Sequence, residues 1–257
     1  MTGTDNSHFH GGLLLVSRVT RGTPLSTPFP IWLNSSTLAI MIQINNLAPL
    51  ALRIHAVVFQ VPRHREDPLF HEHLNQVCRS MRSRYEGKPP SEIPCLAPAR
   101  EMYRAAGVDP TRYRPSSEAL LRRVLQGKEL YRLSPLVDTG NLFSLEHSIS
   151  IGLYDSRFLE GTIALRMGEK GEFFPGIRKS EIHVQGKICL VDEVGPFGSP
   201  SSDSWRTRIR EDSRDILVIL YAPRSWTREM LEEKAAILCS EFQHWCAAEE
   251  CRQFAVD

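Results

Sequence analysis

Two different periods of hydrophobic and polar positions divide the chain, and one gives way to the other near residue 146. Before that point, apolar residues recur every three or four positions, which is typical of amphipathic helices. A continuous apolar run at residues 52–61 interrupts this pattern and predicts a buried strand. The predicted helices cover residues 68–85, 97–106, 116–127 and a segment entered through the polar run 135–141.

After residue 146 the pattern alternates, and short β-branched segments are separated by glycine-containing turns. The strands expected there cover residues 149–153, 162–167, 182–184 and 188–191. Residues 215–221 (DILVILY) form an uninterrupted apolar run that predicts a fully buried strand, and a last helix is expected over residues 227–251. This order predicts an α+β fold, with one mixed, largely antiparallel β-sheet and flanking helices.

Composition changes this picture mainly at the N-terminus. Residues 1–41 are rich in Gly, Ser, Thr and Pro, so we expect a poorly ordered extension ahead of one domain at residues 42–257. The 257-residue chain is 42% hydrophobic, which suffices for a sizeable core. Six cysteines without a CxxC pair indicate reduced thiols and a cytoplasmic protein. No apolar run is long enough to span a bilayer, so no membrane partner is expected.

The formal net charge of +1 conceals a local concentration of basic residues. Six Lys or Arg lie between Arg112 and Arg132 against two glutamates, and a second basic run follows at residues 206–214. Such residues form either solvated helix faces or a surface that binds phosphates. Composition leaves both interpretations open.

Several common catalytic patterns are absent from the sequence. It contains no nucleophile elbow, no Walker loop and no dinucleotide-binding glycine pattern. His71 and His73 are two positions apart, and residues at that spacing do not share a helix face, so no metal site is expected there. The cysteines show no metal-ligand spacing either, and we therefore predict neither a metal nor another cofactor.

Two polar stretches are candidates for binding or chemistry. Residues 138–141 place short hydrogen-bonding side chains at a helix entrance, where they either grip a small polar group or only cap the helix. Residues 203–207 include Arg206, whose guanidinium suits a carboxylate or a phosphate. The structural alternative for this second stretch is a loop salt bridge between Asp203 and Arg206.

Several motifs in order along the chain resemble one family. They are Tyr103 to Pro110, Tyr113 to Arg123, Pro135-Leu136-Val137-Asp138-x-x-Asn141, Gly152-x-Tyr154-Asp155, Asp203-Ser204-x-Arg206-Thr207 and the strand Asp215 to Tyr221. Together they resemble the tRNA-editing (B3/B4) domain of the phenylalanyl-tRNA synthetase β subunit, in its free-standing form. The resemblance covers roughly residues 42–250.

This resemblance implies an α+β domain whose cleft receives the aminoacylated 3′ end of a mischarged tRNA and hydrolyses the ester of tyrosine. Asn141 and Asp138 match the asparagine and the aspartate of the synthetase motif. The chain departs from that motif at Gly140, where the synthetase has threonine, and at Gly152, where it has histidine. The synthetase's pocket glutamate falls near Trp205, which makes Asp203 the closest acid.

Roles for individual residues follow from the resemblance and from their chemistry. Asn141 would orient water or the ester carbonyl, and Asp203 would pair with the amino group. The residues expected to bind the substrate are Asp138, Thr139, Gly140, Gly152 and Arg206. The residues expected to contact tRNA phosphates, which position an RNA without specifying its sequence, are Arg114, Arg122 and Arg123.

Two functions of different classes remain at this point. The first is a trans-acting aminoacyl-tRNA deacylase, which the family match and the polar cleft favour. The second is a non-catalytic module that binds tRNA or a free amino acid, which the loss of the histidine favours. The sequence makes no prediction of the amino acid, the tRNA or the oligomeric state.

Overall fold

The computed structural model describes residues 31–35, 38–42, 44–46, 48, 52–63, 67–177 and 181–256. The extension predicted at residues 1–41 therefore lies mostly outside the described residues. Its last part contains two antiparallel strands, β1 (Ile31–Ser35) and β2 (Leu38–Ile42). Among the described residues, no helix has the length and apolar character needed to cross a bilayer.

The remaining elements follow the predicted order closely. The helices are α1 (Phe70–Tyr85), α2 (Ala97–Ala105), α3 (Ser116–Leu125), α4 (Pro135–His147) and α5 (Arg228–Cys246). The strands are β3 (Ile44–Asn46), β4 (Leu52–Gln60), β5 (Ser150–Asp155), β6 (Ile163–Met167), β7 (Phe173–Phe174), β8 (Ile182–His183), β9 (Ile188–Val191), β10 (Pro196–Ser199), β11 (Ser202–Asp203), β12 (Asp215–Pro223) and β13 (Glu249–Val256).

The α+β class is confirmed, and the described strands fall mainly into two sheets rather than one. The first is antiparallel, with the order β13-β4-β12-β5. The second is mixed, with the order β11-β10-β9-β6-β3, and its parallel pair joins β3 to β6. A small pair, β7 and β8, is not hydrogen-bonded into either sheet but packs against the mixed sheet, where Phe174 contacts the core around Cys189 and Val191.

Strand β12 is buried on both faces, as its continuous apolar sequence predicts. Successive side chains of a strand point to opposite faces. One face of β12 packs into the core that holds Phe197 and Tyr154, and the other packs against α4 and α5. The residues of the first face are Leu217, Ile219 and Tyr221, and those of the second are Ile216, Val218, Leu220 and Ala222.

The last helix is shorter than predicted. It ends at Cys246 rather than at 251, because Ala247 takes a left-handed conformation (φ 52°) and its N–H bonds the carbonyl of Phe242. Residues 249–256 then form β13, which pairs with β4 and covers that edge of the antiparallel sheet. The helical spacing of apolar residues continues past Cys246 in the sequence, so periodicity alone does not reveal the turn.

A buried ion pair ties α2 to α3. Glu118, fully buried, accepts hydrogen bonds from Nε and Nη2 of Arg100, both at 2.7 Å. The side chain of Arg100 is itself 10% exposed, and hydrogen bonding to Glu118 raises the pKa of its guanidinium. Arg122 reaches the same carboxylate from one turn along α3, at 3.3 Å, but its side chain is 32% exposed.

Glu118→Ala is expected to lower the free energy of unfolding by on the order of 3 kcal/mol, because it leaves the Arg100 charge buried without its partner. Arg122→Ala removes only the more exposed contact and should cost less than about 1 kcal/mol. Urea unfolding of both variants beside the wild type measures the difference. Equal losses for the two variants would contradict this description of the pair.

Candidate functional site

Asn141 and Asp203 lie on the wall of the same cleft. Asn141 comes from α4 and Asp203 from β11, and both contribute to a cavity of about 340 Å³. Apolar lining residues are Leu133, Val137, Ile151, Leu153, Ile177 and Ile209. Polar and aromatic lining residues, apart from these two, are Ser134, Trp205, Arg208, Arg210 and Glu211. The sequence thus brings together two groups that are far apart along the chain in a cavity of ligand-binding size.

The start of α4 is fixed by its own polar residues. Ser134 is the N-cap, and its Oγ accepts the N–H of Val137 at 3.3 Å. The carboxylate of Asp138 accepts the N–H of Leu133 at 3.0 Å. These two bonds satisfy backbone donors around the helix start, so the capping alternative accounts for Asp138. Asn141 follows one turn later and is free of this capping role.

Consecutive helical residues are rotated by about 100° from one another, so the run 138–141 cannot face one cavity. Gly140 and Asn141 line the cleft. Asp138 and Thr139 instead line a neighbouring cavity of about 280 Å³ beside Trp245. Thr139 is fully buried, and its Oγ1 lies 3.2 Å from Sγ of Cys246. The structure therefore places Asp138 and Thr139 outside the cleft that Asn141 lines.

The carboxyl group of Asp203 is buried and incompletely bonded. Its Oδ1 has no hydrogen-bond partner among the residues that the structure describes. Burial raises the pKa of this carboxyl to about 7, although the Tyr154 hydroxyl and the Leu153 backbone amide favour its charged form. A carboxyl of this kind gains from a cationic or hydrogen-bonding ligand, because such a ligand supplies the missing partner.

Tyr154 and Tyr221 form the buried polar layer beneath Asp203. Both rings lie in the core, and their hydroxyl oxygens are 3.4 Å apart. Burial raises the pKa of both phenols well above the usual value, and the nearby Asp203 acts in the same direction. Both tyrosines are therefore neutral donors near neutral pH. Sequence reasoning did not assign Tyr154 to the site, although the motif Gly152-x-Tyr154 contains it.

Gly152 lies directly against Tyr154. A Cβ atom at Gly152 would be 2.0 Å from Oη of Tyr154, and one at Gly198 would be 2.1 Å from the same atom. The space at Gly152 is therefore filled by the tyrosine, and Gly152 does not line the cleft. Gly140 is less tightly enclosed than Gly152, since a Cβ atom there would lie 3.2 Å from Cδ1 of Ile151. Gly140 thus allows α4 to pack closely on β5.

Arg206 is engaged in a structural ion pair and does not reach the cleft. Its guanidinium binds both carboxylate oxygens of Asp192, at 2.8 and 2.9 Å, and also donates to the carbonyl of Phe158. The loop salt bridge expected with Asp203 is absent, because Asp192 takes this role. Arg206 is not among the residues that line the cleft, and its predicted role as a ligand clamp stays a prediction.

The cations that do line the cleft are Arg208 and Arg210. Arg208 stacks on the ring of Trp205 at 3.4 Å, and Arg210 stacks on Phe158 at 3.7 Å. Desolvation and the charge of Arg210 lower the pKa of Arg208. The hydrogen bonds of these two guanidiniums with described residues go to backbone carbonyls. Sequence reasoning noted both only as part of a basic run.

The three arginines predicted to contact tRNA phosphates lie elsewhere. Arg122 binds Glu118, and Arg123 donates to the carbonyl of Glu129 at 2.6 Å while its guanidinium stacks on Tyr131. Arg114 lines a separate cavity of about 580 Å³. None of the three lines the cleft of Asn141 and Asp203, so their predicted role stays a prediction.

Within the described part of the chain, one group of side chains could hold a metal ion. Glu146, His147 and Glu241 place three ligand atoms within 4.8 Å of one another, with 3.4 Å between Nε2 of His147 and Oε1 of Glu241. An imidazole with carboxylates is a ligand set typical of zinc or manganese. Its members come from the end of α4 and from α5, and they do not line the cleft.

Comparison with known proteins gives one family and a distant structural likeness. The model of the family described as "B3/4 domain" matches residues 98–230, from α2 to the start of α5. A solved N-terminal fragment of the phenylalanyl-tRNA synthetase β subunit from Pyrococcus horikoshii is 11% identical, with a TM-score of 0.43. The match covers 90% of this chain and 57% of that fragment. No curated protein matches the chain.

The buried carboxyl of Asp203 predicts an unusual dependence of stability on pH. Its pKa is higher in the folded chain, about 7, than in the unfolded chain, about 4, so the folded state binds the proton more tightly. The free energy of unfolding therefore decreases as the pH rises from about 4 to about 7. Asp203→Asn removes the loss, and its free energy of unfolding relative to wild type should rise by on the order of 2 kcal/mol between pH 5 and pH 8.

Urea unfolding at a series of pH values measures this change. Glu211→Gln, which removes an exposed carboxylate at the same cleft, is the matched control and should show a much smaller trend. A difference between Asp203→Asn and wild type that does not vary with pH would show that Asp203 is ionised freely in the folded chain.

Proposed function

Because the chain belongs to the B3/4 domain family, whose model matches more than half of it, we propose that it is a trans-acting aminoacyl-tRNA deacylase that hydrolyses the ester of mischarged tRNA. This family is the one that the motifs around Asp138, Asn141 and Asp203 resemble. The observation that carries the proposal is that Asn141 and Asp203 line one cleft. An amide that can donate and a buried carboxyl with one unpartnered oxygen are suited to the two ends of an aminoacyl group.

The cleft offers a complementary surface to each part of an aminoacyl ester. The substrate ammonium pairs with the Asp203 carboxylate, and this pairing lowers the cost of ionising the buried group. The amino-acid side chain packs against the apolar lining that Ile151 and Leu153 contribute. The carbonyl oxygen of the ester then lies toward the Asn141 amide on the facing wall.

Hydrolysis at such a site needs orientation more than a strong base. An aminoacyl ester is already activated, and a water molecule held near Asn141 attacks its carbonyl carbon. The Asn141 N–H donates to the oxyanion of the tetrahedral intermediate. The bond to the ribose oxygen then breaks, this oxygen takes the proton that the water has lost, and the amino acid and the deacylated tRNA leave. The neighbouring ribose hydroxyl assists in passing this proton.

The mouth of the cleft suits the terminal nucleotide of an RNA. Trp205 is 51% exposed, and Arg208 covers one face of its ring. Aromatic rings and guanidinium planes are the surfaces on which unpaired bases stack, and arginines bind the adjoining phosphates. In this proposal Arg208 and Arg210 take the phosphate-binding role that the sequence suggested for Arg206.

A second function is favoured by one specific observation. The cleft lining contains no histidine among the described residues, and the position of the synthetase histidine, Gly152, is filled by Tyr154. A site whose titratable bases among the described residues are the carboxyl groups of Asp203 and Glu211 also suits a module that binds aminoacyl-tRNA or an amino acid without cleaving it.

Deacylation of a panel of mischarged tRNAs tests the proposal. We expect the wild type to release the amino acid from at least one of them, and Asn141→Ala to lower kcat by about 10²- to 10³-fold, the usual effect of losing one oxyanion donor. Asp203→Ala should mainly raise KM, because the ammonium loses its partner. Asn75→Ala changes a partly exposed asparagine on α1 outside the cleft, and this matched control should be unaffected.

The outcomes separate the two functions. A wild type that shifts tRNA in a gel but cleaves no ester would exclude the deacylase and leave the binding module. A wild type that neither binds nor cleaves any member of the panel would contradict both.

A further inference from the structure

A second cavity of about 580 Å³ lies beside the β10–β11 hairpin. Its walls come from the loop at residues 108–114, the turn at residues 181–187 and the hairpin residues 199–202. Ser202 lines this cavity, whereas its neighbour Asp203 lines the cleft. Adjacent residues of a strand point to opposite faces, so β11 separates two distinct cavities.

The charge of this cavity is strongly positive. Arg112, Arg114 and Lys187 line it, and the carboxylate of Glu181 is the acid in the lining. Glu181 lies 3.2 Å from Nε2 of His183, which also lines the cavity. In the described part of the chain, no carboxylate oxygen lies within 4 Å of the side-chain nitrogens of the three cations.

Asp109, which is close to Arg112 in the sequence, is occupied by hydrogen bonds within its own turn. Asp109 accepts hydrogen bonds from the N–H and the Oγ1 of Thr111, both at 2.8 Å, and these bonds lower the pKa of its carboxyl. They also fix the turn that presents Arg112 and Arg114. The excess of positive charge is therefore held in place by a structured loop.

Aromatic, apolar and hydroxyl groups complete the lining. The Tyr113 ring has Nζ of Lys187 at 4.2 Å and the guanidinium of Arg112 at 5.2 Å. The apolar lining residues are Val108, Ala119, Ile182, Val184 and Ile188, and the hydroxyl groups come from Tyr103, Ser199, Ser201 and Ser202. A cavity with an apolar side and convergent cations fits a ligand that has an uncharged ring system and an anionic head.

We propose that this cavity binds a phosphorylated nucleoside unit, with the phosphate held by Arg114 and Lys187. Arginine and lysine are the usual ligands of phosphate oxygens, and an aromatic ring among apolar residues is the usual surface for a base. The volume exceeds what an inorganic phosphate fills, which favours a whole nucleotide. The proposal does not rest on the deacylase function, because the two cavities share no lining residue.

Binding of 5′-AMP to the full chain, followed by isothermal titration calorimetry, tests this site. Lys187→Gln and Arg114→Gln are each expected to weaken binding at least about tenfold, since each removes a charged donor to the phosphate. Arg224→Gln, which removes an exposed cation outside both cavities, is the matched control and should leave the affinity unchanged. Adenosine should bind at least about tenfold more weakly than 5′-AMP, and the affinity for 5′-AMP should fall as salt rises.

A short single-stranded RNA in the same titration identifies the source of the nucleotide. Tighter binding of the RNA than of 5′-AMP indicates an RNA strand, and weaker binding indicates a free nucleotide, and either result supports the site. The proposal is overturned if the folded wild type binds neither probe. It is also overturned if Lys187→Gln and Arg114→Gln, with unchanged circular dichroism, bind 5′-AMP as the wild type does. Loss of binding in Arg208→Gln alone would overturn it as well, because the nucleotide would then lie in the cleft.

Discussion

Strand β12 pairs with β4 along one edge and with β5 along the other, and apolar side chains cover both of its faces. Eight of the nine residues of β12 are buried, so each face of the strand must be covered by another layer. Helices α4 and α5 provide the first cover, and α2 with the mixed sheet provides the second. The position of Asn141 on α4 and that of Asp203 on β11 both follow from this arrangement.

The same burial produces the chemistry of the cleft. Tyr154 and Tyr221 lie on the face of the antiparallel sheet that is covered by the strands, where water does not reach their hydroxyl groups. Glycine at 152 and 198 leaves room for the Tyr154 ring, and the hairpin that carries Asp203 closes over it. A carboxyl held there has a raised pKa and one oxygen without a partner. The packing that buries Tyr154 and Tyr221 in the core therefore also buries the Asp203 carboxyl at the wall of the cleft.

Sequence reasoning predicted the parts of this fold that have a regular period. The helix over residues 68–85 and the strand over residues 215–221 are confirmed with small changes of boundary, because packing on one or two faces dictates their apolar pattern. Strand β13 and the short strands β10 and β11 were missed. Their pairing depends on partners distant in the sequence, and local pattern does not encode these partners.

The candidate site was predicted less completely for a related reason. The resemblance identified Asn141 and Asp203, which the structure brings to one cleft. It could not show that Arg206 binds Asp192, because residue type alone does not reveal which acid a guanidinium meets in the fold. Tyr154 belongs to a quoted motif but was given no role in the site, because its position depends on the two glycines that make room for its ring.

In the proposed function, Asp203 faces the amino group of an aminoacyl ligand in the cleft. Carboxyl-carbon NMR of Asp203, with and without a non-hydrolysable aminoacyl-adenosine amide, measures this directly. We expect a pKa near 7 in the free protein and a clear decrease when the analogue binds, because its ammonium group stabilises the carboxylate. If the pKa of Asp203 stays unchanged at saturation with the analogue, Asp203 does not pair with the amino group.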